Sequence, residues 1–97
     1  MLFLARMDVH FPDNLSPSEV ADFQRREKEY SGELQKQGVM KAIWRVVGEY
    51  ANYSVFDVDD HDELHTILQE FPMFAHMSVS VTALARHPNA LEYYLKN

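Results

Sequence analysis

The sequence contains no cysteine. Disulfides, zinc–thiolate sites and thiol catalysis are thereby excluded. Positive charge is scarce too. Nine Lys and Arg stand against fifteen Asp and Glu, for a net charge of −6, and no basic run exceeds two residues. Neutralising a phosphate backbone takes a basic patch, so no nucleic-acid partner is expected. A small anion remains a permissible ligand, provided a local Arg or Lys overcomes the general field. Long apolar runs are also missing. The opening Met1-Leu2-Phe3-Leu4-Ala5 is cut short by Arg6 and Asp8, too brief for a signal peptide or a membrane span, so a cytoplasmic protein with no membrane partner is the expectation.

What is present is a globular composition, 46% hydrophobic and 12% aromatic in 97 residues. That length makes one domain over residues 1–97, with a core over 1–84 and a tail over 85–97 that carries the Tyr93-Tyr94 pair and is expected to dock on a neighbouring subunit. A chain this short buries only about two-thirds of its unfolded surface when alone, so a second copy would add materially to the core.

Hydrophobic periodicity divides the chain into six elements. Leu2 to Val9 alternates as a strand, with Phe3, Ala5, Met7 and Val9 on one face. Ser16 with Pro17 and Glu19 behind it predicts a capped helix start, and that helix runs to about Gln37, where Gly38 supplies the stop. Val39 to Val47 and Tyr50 to Val58 read as strands joined by a tight two-residue Gly48-Glu49 turn. A shorter helix, capped by Asp59 or Asp60, runs to Glu70 and ends at Pro72; His76 to Leu84 alternates as a fourth strand. The β-α-β-β-α-β order predicts an α+β, ferredoxin-like domain: an antiparallel four-stranded sheet with two helices on one face. Tyr50, Asn52, Ser54, Phe56 and Val58 fall on one side of the third strand, and Ala51, Tyr53, Val55 and Asp57 on the other. Large apolar groups on both sides exceed what one helical layer covers, so the expected assembly is a homo-oligomer of dimeric α/β-barrel type, sheet against sheet.

One residue breaks the pattern. The long helix has an apolar stripe of Val20, Phe23, Tyr30 and Leu34, and Glu27 falls in its middle, at steps of four, three and four. Partial burial of a carboxylate is costly and raises its pKa, the condition for a general acid or base. From spacing alone an ion pair, a place at the helix edge or a subunit contact is the commoner outcome.

The segment Trp44-Arg45-Val46-Val47-Gly48-Glu49, followed by Tyr50-Ala51-Asn52-Tyr53-Ser54-Val55-Phe56-Asp57-Val58, resembles the muconolactone isomerase family. Met1-Leu2-Phe3, Met7, Glu27-Lys28-Glu29, Pro72-x-Phe74 with Met77, and Arg86-His87-Pro88 extend the likeness over roughly residues 1 to 88. It is weak over Pro12 to Phe23. The resemblance implies an isomerase of the 3-oxoadipate pathway of aromatic (catechol) catabolism. It would convert muconolactone, a small anionic lactone, to 3-oxoadipate enol-lactone, without a cofactor and as an assembly that is typically a decamer.

That reaction needs one carboxylate of raised pKa, donors for an enolate oxygen and a cation for the free carboxylate. Glu27 is the expected proton shuttle. Tyr50 and Asn52 are the expected substrate contacts on the best-matched strand; Asn is disfavoured in strands and offers both a donor and an acceptor. For the cation the candidates are Arg6, Lys28, Lys41, Arg45 and Arg86, with Arg86 ranked first because it lies in a matched piece. His61 and His65 have the i, i+4 spacing of zinc ligands, but without a HExxH pattern or a nearby third ligand no metal site is expected. The residues alone leave open a chloromuconolactone dehalogenase, another cofactor-independent barrel enzyme (a monooxygenase or decarboxylase), or a non-catalytic binding domain.

Overall fold

The computed structural model describes residues 1–91. They form β1 (Leu2–Val9), α1 (Pro17–Lys36), β2 (Met40–Arg45), β3 (Ala51–Asp57), α2 (His61–Gln69) and β4 (Met77–Leu84), with a turn of 3-10 helix at Phe74–His76 leading into β4. The four strands pair antiparallel in the order β2-β3-β1-β4.

Both ends of α1 follow from local chemistry. The Ser16 hydroxyl accepts the Glu19 amide at 3.1 Å while the Glu19 carboxylate accepts the Ser16 amide at 3.2 Å, a reciprocal capping box with Pro17 at the first helical position. At the other end Gly38 takes φ +76°, Gly38 N–H donates to Gln35 O, and Val39 N–H donates to Leu34 O. This is a Schellman closure, and it requires a residue at ease with positive φ. Helix α2 is capped by Asp60, whose carboxylate accepts the Glu63 amide at 2.8 Å.

The core lies between the sheet and the helices. Phe3, Ala5 and Met7 of β1 and Phe56 of β3 meet Leu34 of α1, Leu64 and Leu68 of α2, and Phe71 beyond it. The outward residues of β1 and β3, including Leu4, Arg6, Tyr53 and Val55, pair across the ladder on the opposite face.

Two expectations are corrected. The sheet is open, with β2 and β4 as its outer strands, so it is not part of a closed α/β-barrel. The face that alternation suggested would stack on a second sheet carries charge near its middle. Arg6 holds Asp8 through two bonds at 3.0 Å, Glu49 at 2.9 Å and the Tyr53 hydroxyl at 3.3 Å, so these groups satisfy one another within a single chain. The β2–β3 turn is also longer than two residues. Val46 N–H donates to Ala51 O, Glu49 N–H donates to Val46 O, and Gly48 at φ +79° occupies the third position of the turn, where positive φ is required. Residues 85–91 form neither helix nor strand, and the Tyr93-Tyr94 pair lies outside the described residues.

Replacing Ser16 with Ala removes the cap that orients α1. Urea denaturation is expected to register a loss of about 1 kcal/mol, with the slope of the unfolding curve unchanged.

Candidate active site

Helix α1 carries Glu27 over the end of the sheet where β1 finishes and the β2–β3 turn begins. The side chain is half-buried, as its place on the stripe predicts. Its Oε1 accepts the backbone N–H of Met73 at 3.1 Å. Met73 is itself buried, in the segment that follows α2 after Gln69 and tightens into the 3-10 turn. One carboxylate oxygen is therefore anchored from the α2–β4 connection. Burial pushes the Glu27 carboxyl above the ordinary value of 4.5, and the Met73 bond offsets only part of that rise. No cation contributes to the balance, so Glu27 is not the acidic half of an ion pair among the described residues.

Beneath Glu27 is a cleft of about 360 Å3, within the range of small-molecule sites. Val9, Ile43, Arg45, Tyr50 and Asn52 come from the sheet and its turn, and Gln24, Lys28 and Ser31 from α1. Asn52 is polarised by its neighbour on the same face of β3. The fully buried Ser54 hydroxyl donates to Asn52 Oδ1 at 2.8 Å, which occupies the carbonyl end and leaves the amide Nδ2 to donate. Gln24 Nε2 donates to the Tyr50 hydroxyl at 3.0 Å, so the phenol keeps its own proton to donate. An aromatic cluster walls this end: Phe11 lies 6.2 Å from Tyr50 and 5.9 Å from Phe23, and Phe23 meets His76 edge-on at 5.1 Å.

Tyr30, one turn beyond Glu27, has a different task. Its hydroxyl donates to Ile67 O at 2.8 Å and its ring packs edge-on against Phe71 at 4.7 Å. Burial, with the negative charge of Glu70 and Glu27 nearby, pushes its pKa up to about 12, so it stays protonated and ties α1 to α2. A larger groove of about 610 Å3 runs between these helices. Glu33, Asp60, Asp62, Glu63 and Glu70 line it, and that concentration of negative charge disfavours an anionic ligand.

The cleft thus unites a carboxylate of raised pKa, an oriented amide donor, a phenol and an arginine, the set that a proton shift on an anionic carbonyl compound requires. A family model described as Muconolactone delta-isomerase matches residues 1–90. The chain belongs to the muconolactone delta-isomerase family. Among similar proteins, the Muconolactone Delta-isomerase of Cupriavidus pinatubonensis is 50% identical over 91 residues, covering 94% of this chain and 99% of the relative. The Muconolactone Delta-isomerase 1 of Acinetobacter lwoffii is 55% identical over 92 residues, covering 94% and 95%. A crystal structure of muconolactone isomerase superposes with a TM-score of 0.90 at 39% identity, covering 95% of this chain and 96% of that one.

Of the residues that the sequence nominates for this family's chemistry, Glu27, Tyr50 and Asn52 converge on one cleft and Arg86 does not. Arg86 follows β4, whose last residue, Leu84, pairs with Leu2, whereas Asn52 pairs with Met7. Five residues of strand separate those positions, roughly 17 Å. Arg45, placed below Arg86 from sequence, lines the cleft instead. Gln24 and Ser31 were missed, although they stand three before and four after Glu27 and so share its helical face. Met73 contributes only a backbone amide, for which side-chain pattern carries no signal.

The raised pKa fixes a sign for stability. The folded state holds the Glu27 proton more tightly than the unfolded chain, so this group's contribution falls as pH climbs through the carboxyl range. Glu27→Gln keeps an oxygen for Met73 and removes the ionisable group. In chemical denaturation the variant is expected to gain on the wild type as pH rises above the ordinary carboxyl value of 4.5, and equal or falling relative stability there would contradict the assignment.

Proposed function

We propose that Glu27 isomerises muconolactone by carrying a proton across one face of the lactone ring. The ring carbon bearing the carboxymethyl arm holds an acidic hydrogen, because the resulting anion is conjugated through the ring double bond to the carbonyl. The Glu27 oxygen not held by Met73 takes that proton. The electron pair moves into the ring as a dienolate, and the same oxygen returns the proton to the carbon beside the carbonyl. The double bond has then shifted and the product is 3-oxoadipate enol-lactone. The carboxylate ends as it began, and the balance closes without an oxidant, a reductant or a further reactant.

The observation that carries this reading is the state of Glu27: half-buried, raised in pKa by burial, and anchored through one oxygen only. A base for a carbon acid gains strength as its conjugate acid weakens, so the upward direction of the Glu27 shift favours removal of the ring proton. Asn52 Nδ2, left free to donate by the Ser54 bond to Oδ1, donates to the lactone carbonyl oxygen as negative charge grows there. Tyr50 supplies a second donor at the edge of the ring.

The active protein is further proposed to be a single-domain homo-oligomer of the cytoplasm, with ten subunits as the family resemblance implies. Trp44 of the edge strand β2 and Val47 in the turn beyond it are exposed, surface of a kind that self-association covers.

An ultraviolet assay with muconolactone tests the central reading. Glu27→Gln is expected to retain the far-ultraviolet circular dichroism of the wild type and to lose kcat by several orders of magnitude. Asn52→Leu is expected to lose roughly 100-fold in kcat, the usual cost of one enolate donor, and Ser54→Ala a smaller factor. Near-native turnover by folded Glu27→Gln would remove it from the base role.

A further inference from the structure

Strand β2 contains one residue more than its pairing with β3 uses. Met40 pairs with Phe56 and Ala42 with Val55, which leaves Lys41 as the extra residue of a β-bulge. An extra residue reverses the alternation of everything beyond it. Met40 points into the core. Regular alternation would send Ala42 and Trp44 inward after it and turn Ile43 and Arg45 outward. With the bulge, Ile43 and Arg45 line the cleft beside Glu27 and Asn52, while Trp44 pairs with Tyr53 on the outer face and is 69% exposed. The bulge exchanges an indole for a guanidinium in the floor of the site.

The surroundings of that guanidinium are those of a receptor for an anion. Arg45 pairs across the ladder with Asn52, and its guanidinium carbon lies 5.2 Å from the centre of the Tyr50 ring. Arg6, Arg25 and Arg26 are each engaged by Asp or Glu side chains within 3.0 Å. Arg45 forms no ion pair among the described residues, although the chain carries a net charge of −6. It also leaves Glu27 unperturbed, since no cation lowers that carboxyl. The two groups line one cleft without neutralising each other, so both remain available to a ligand between them. Lys28 is the other cation at the cleft; both side chains are exposed, but Lys28 is a point charge on a flexible stem at the helix side. A planar fork resting on an aromatic ring suits two carboxylate oxygens better.

We propose that Arg45 grips the carboxylate of the substrate's side arm, and that the bulge at Lys41 is the feature that aims it there. This rests on the isomerase reading and adds the anchor that reading lacks. With the arm held over β2, the ring carbon that bears it lies towards Glu27, and the lactone carbonyl oxygen towards Asn52. Arg45 is thus a substrate-binding residue that selects lactones with a free acid arm.

Steady-state kinetics with muconolactone and with the methyl ester of its side arm test the proposal on wild type, Arg45→Met, Arg45→Lys and Lys28→Met. Arg45→Met is expected to raise KM for the acid roughly ten- to a hundred-fold, with kcat altered less than about threefold. Arg45→Lys should recover part of that loss, Lys28→Met should raise KM by a smaller factor than Arg45→Met, and the ester should be handled alike by wild type and Arg45→Met. An equal penalty on acid and ester, or a KM effect in Lys28→Met as large as that in Arg45→Met, overturns the assignment. Wild-type turnover and its loss in Glu27→Gln are read in the same assay. Failure of the Arg45 prediction with those two intact therefore sinks the anchor alone, whereas absence of wild-type turnover sinks the isomerase reading.

Discussion

A carboxylate drawn half out of water must be compensated, and here the compensation comes from one backbone amide, Met73 N–H at 3.1 Å from Glu27 Oε1. Much else is arranged around that bond. It joins α1 to the segment after α2, so the helices are tied together near Glu27 as well as by the Tyr30 hydroxyl on Ile67 O. The amide is available because α2 has already ended at Gln69, and the 3-10 turn at Phe74–His76 begins just beyond. A salt bridge at the same place would have held the pKa down. A neutral donor secures one oxygen and leaves the group a useful base.

The sheet supplies the other half of the site by alternation. On β3 the inward positions pass from Asn52 to Ser54 to Phe56, from an oriented amide to a buried hydroxyl to the core. Polarity is thus graded along one face of one strand, and the buried hydroxyl orients the amide that lines the cleft. On the opposite face Arg6, Asp8, Glu49 and Tyr53 answer one another. The same ladder therefore carries a satisfied charge network on one side and, on the other, an arginine that forms no ion pair among the described residues.

Much of this was legible from residues in order. The element sequence, the capping box at Ser16, the stop at Gly38, the place of Glu27 on its stripe and the shared face of Tyr50 and Asn52 all depend on spacings of two to four residues, which chain geometry dictates. Features that combine distant segments were not legible. Met73 is 46 residues from Glu27 and acts through its backbone. Arg86, expected from sequence to reach a pocket in its own or a neighbouring subunit, does not line the cleft of its own chain because β4 runs away from it, a matter of strand order. The barrel expectation failed because alternation reveals two faces of a strand but not the ion pairs that satisfy one of them.

The sequence by itself determined the helices, the strands and which residues share a face, because the 3.6-residue and two-residue periods are properties of the local backbone. Only the tertiary structure decided which way Arg45 points. Its direction depends on the single unpaired Lys41, and a bulge exists only relative to a partner strand. The tertiary structure likewise decided that Glu27 is half-buried with a raised pKa and is not half of an ion pair among the described residues. The pKa of a carboxyl follows from the water it loses and the groups it meets, and both arrive from parts of the chain that its own neighbours do not specify.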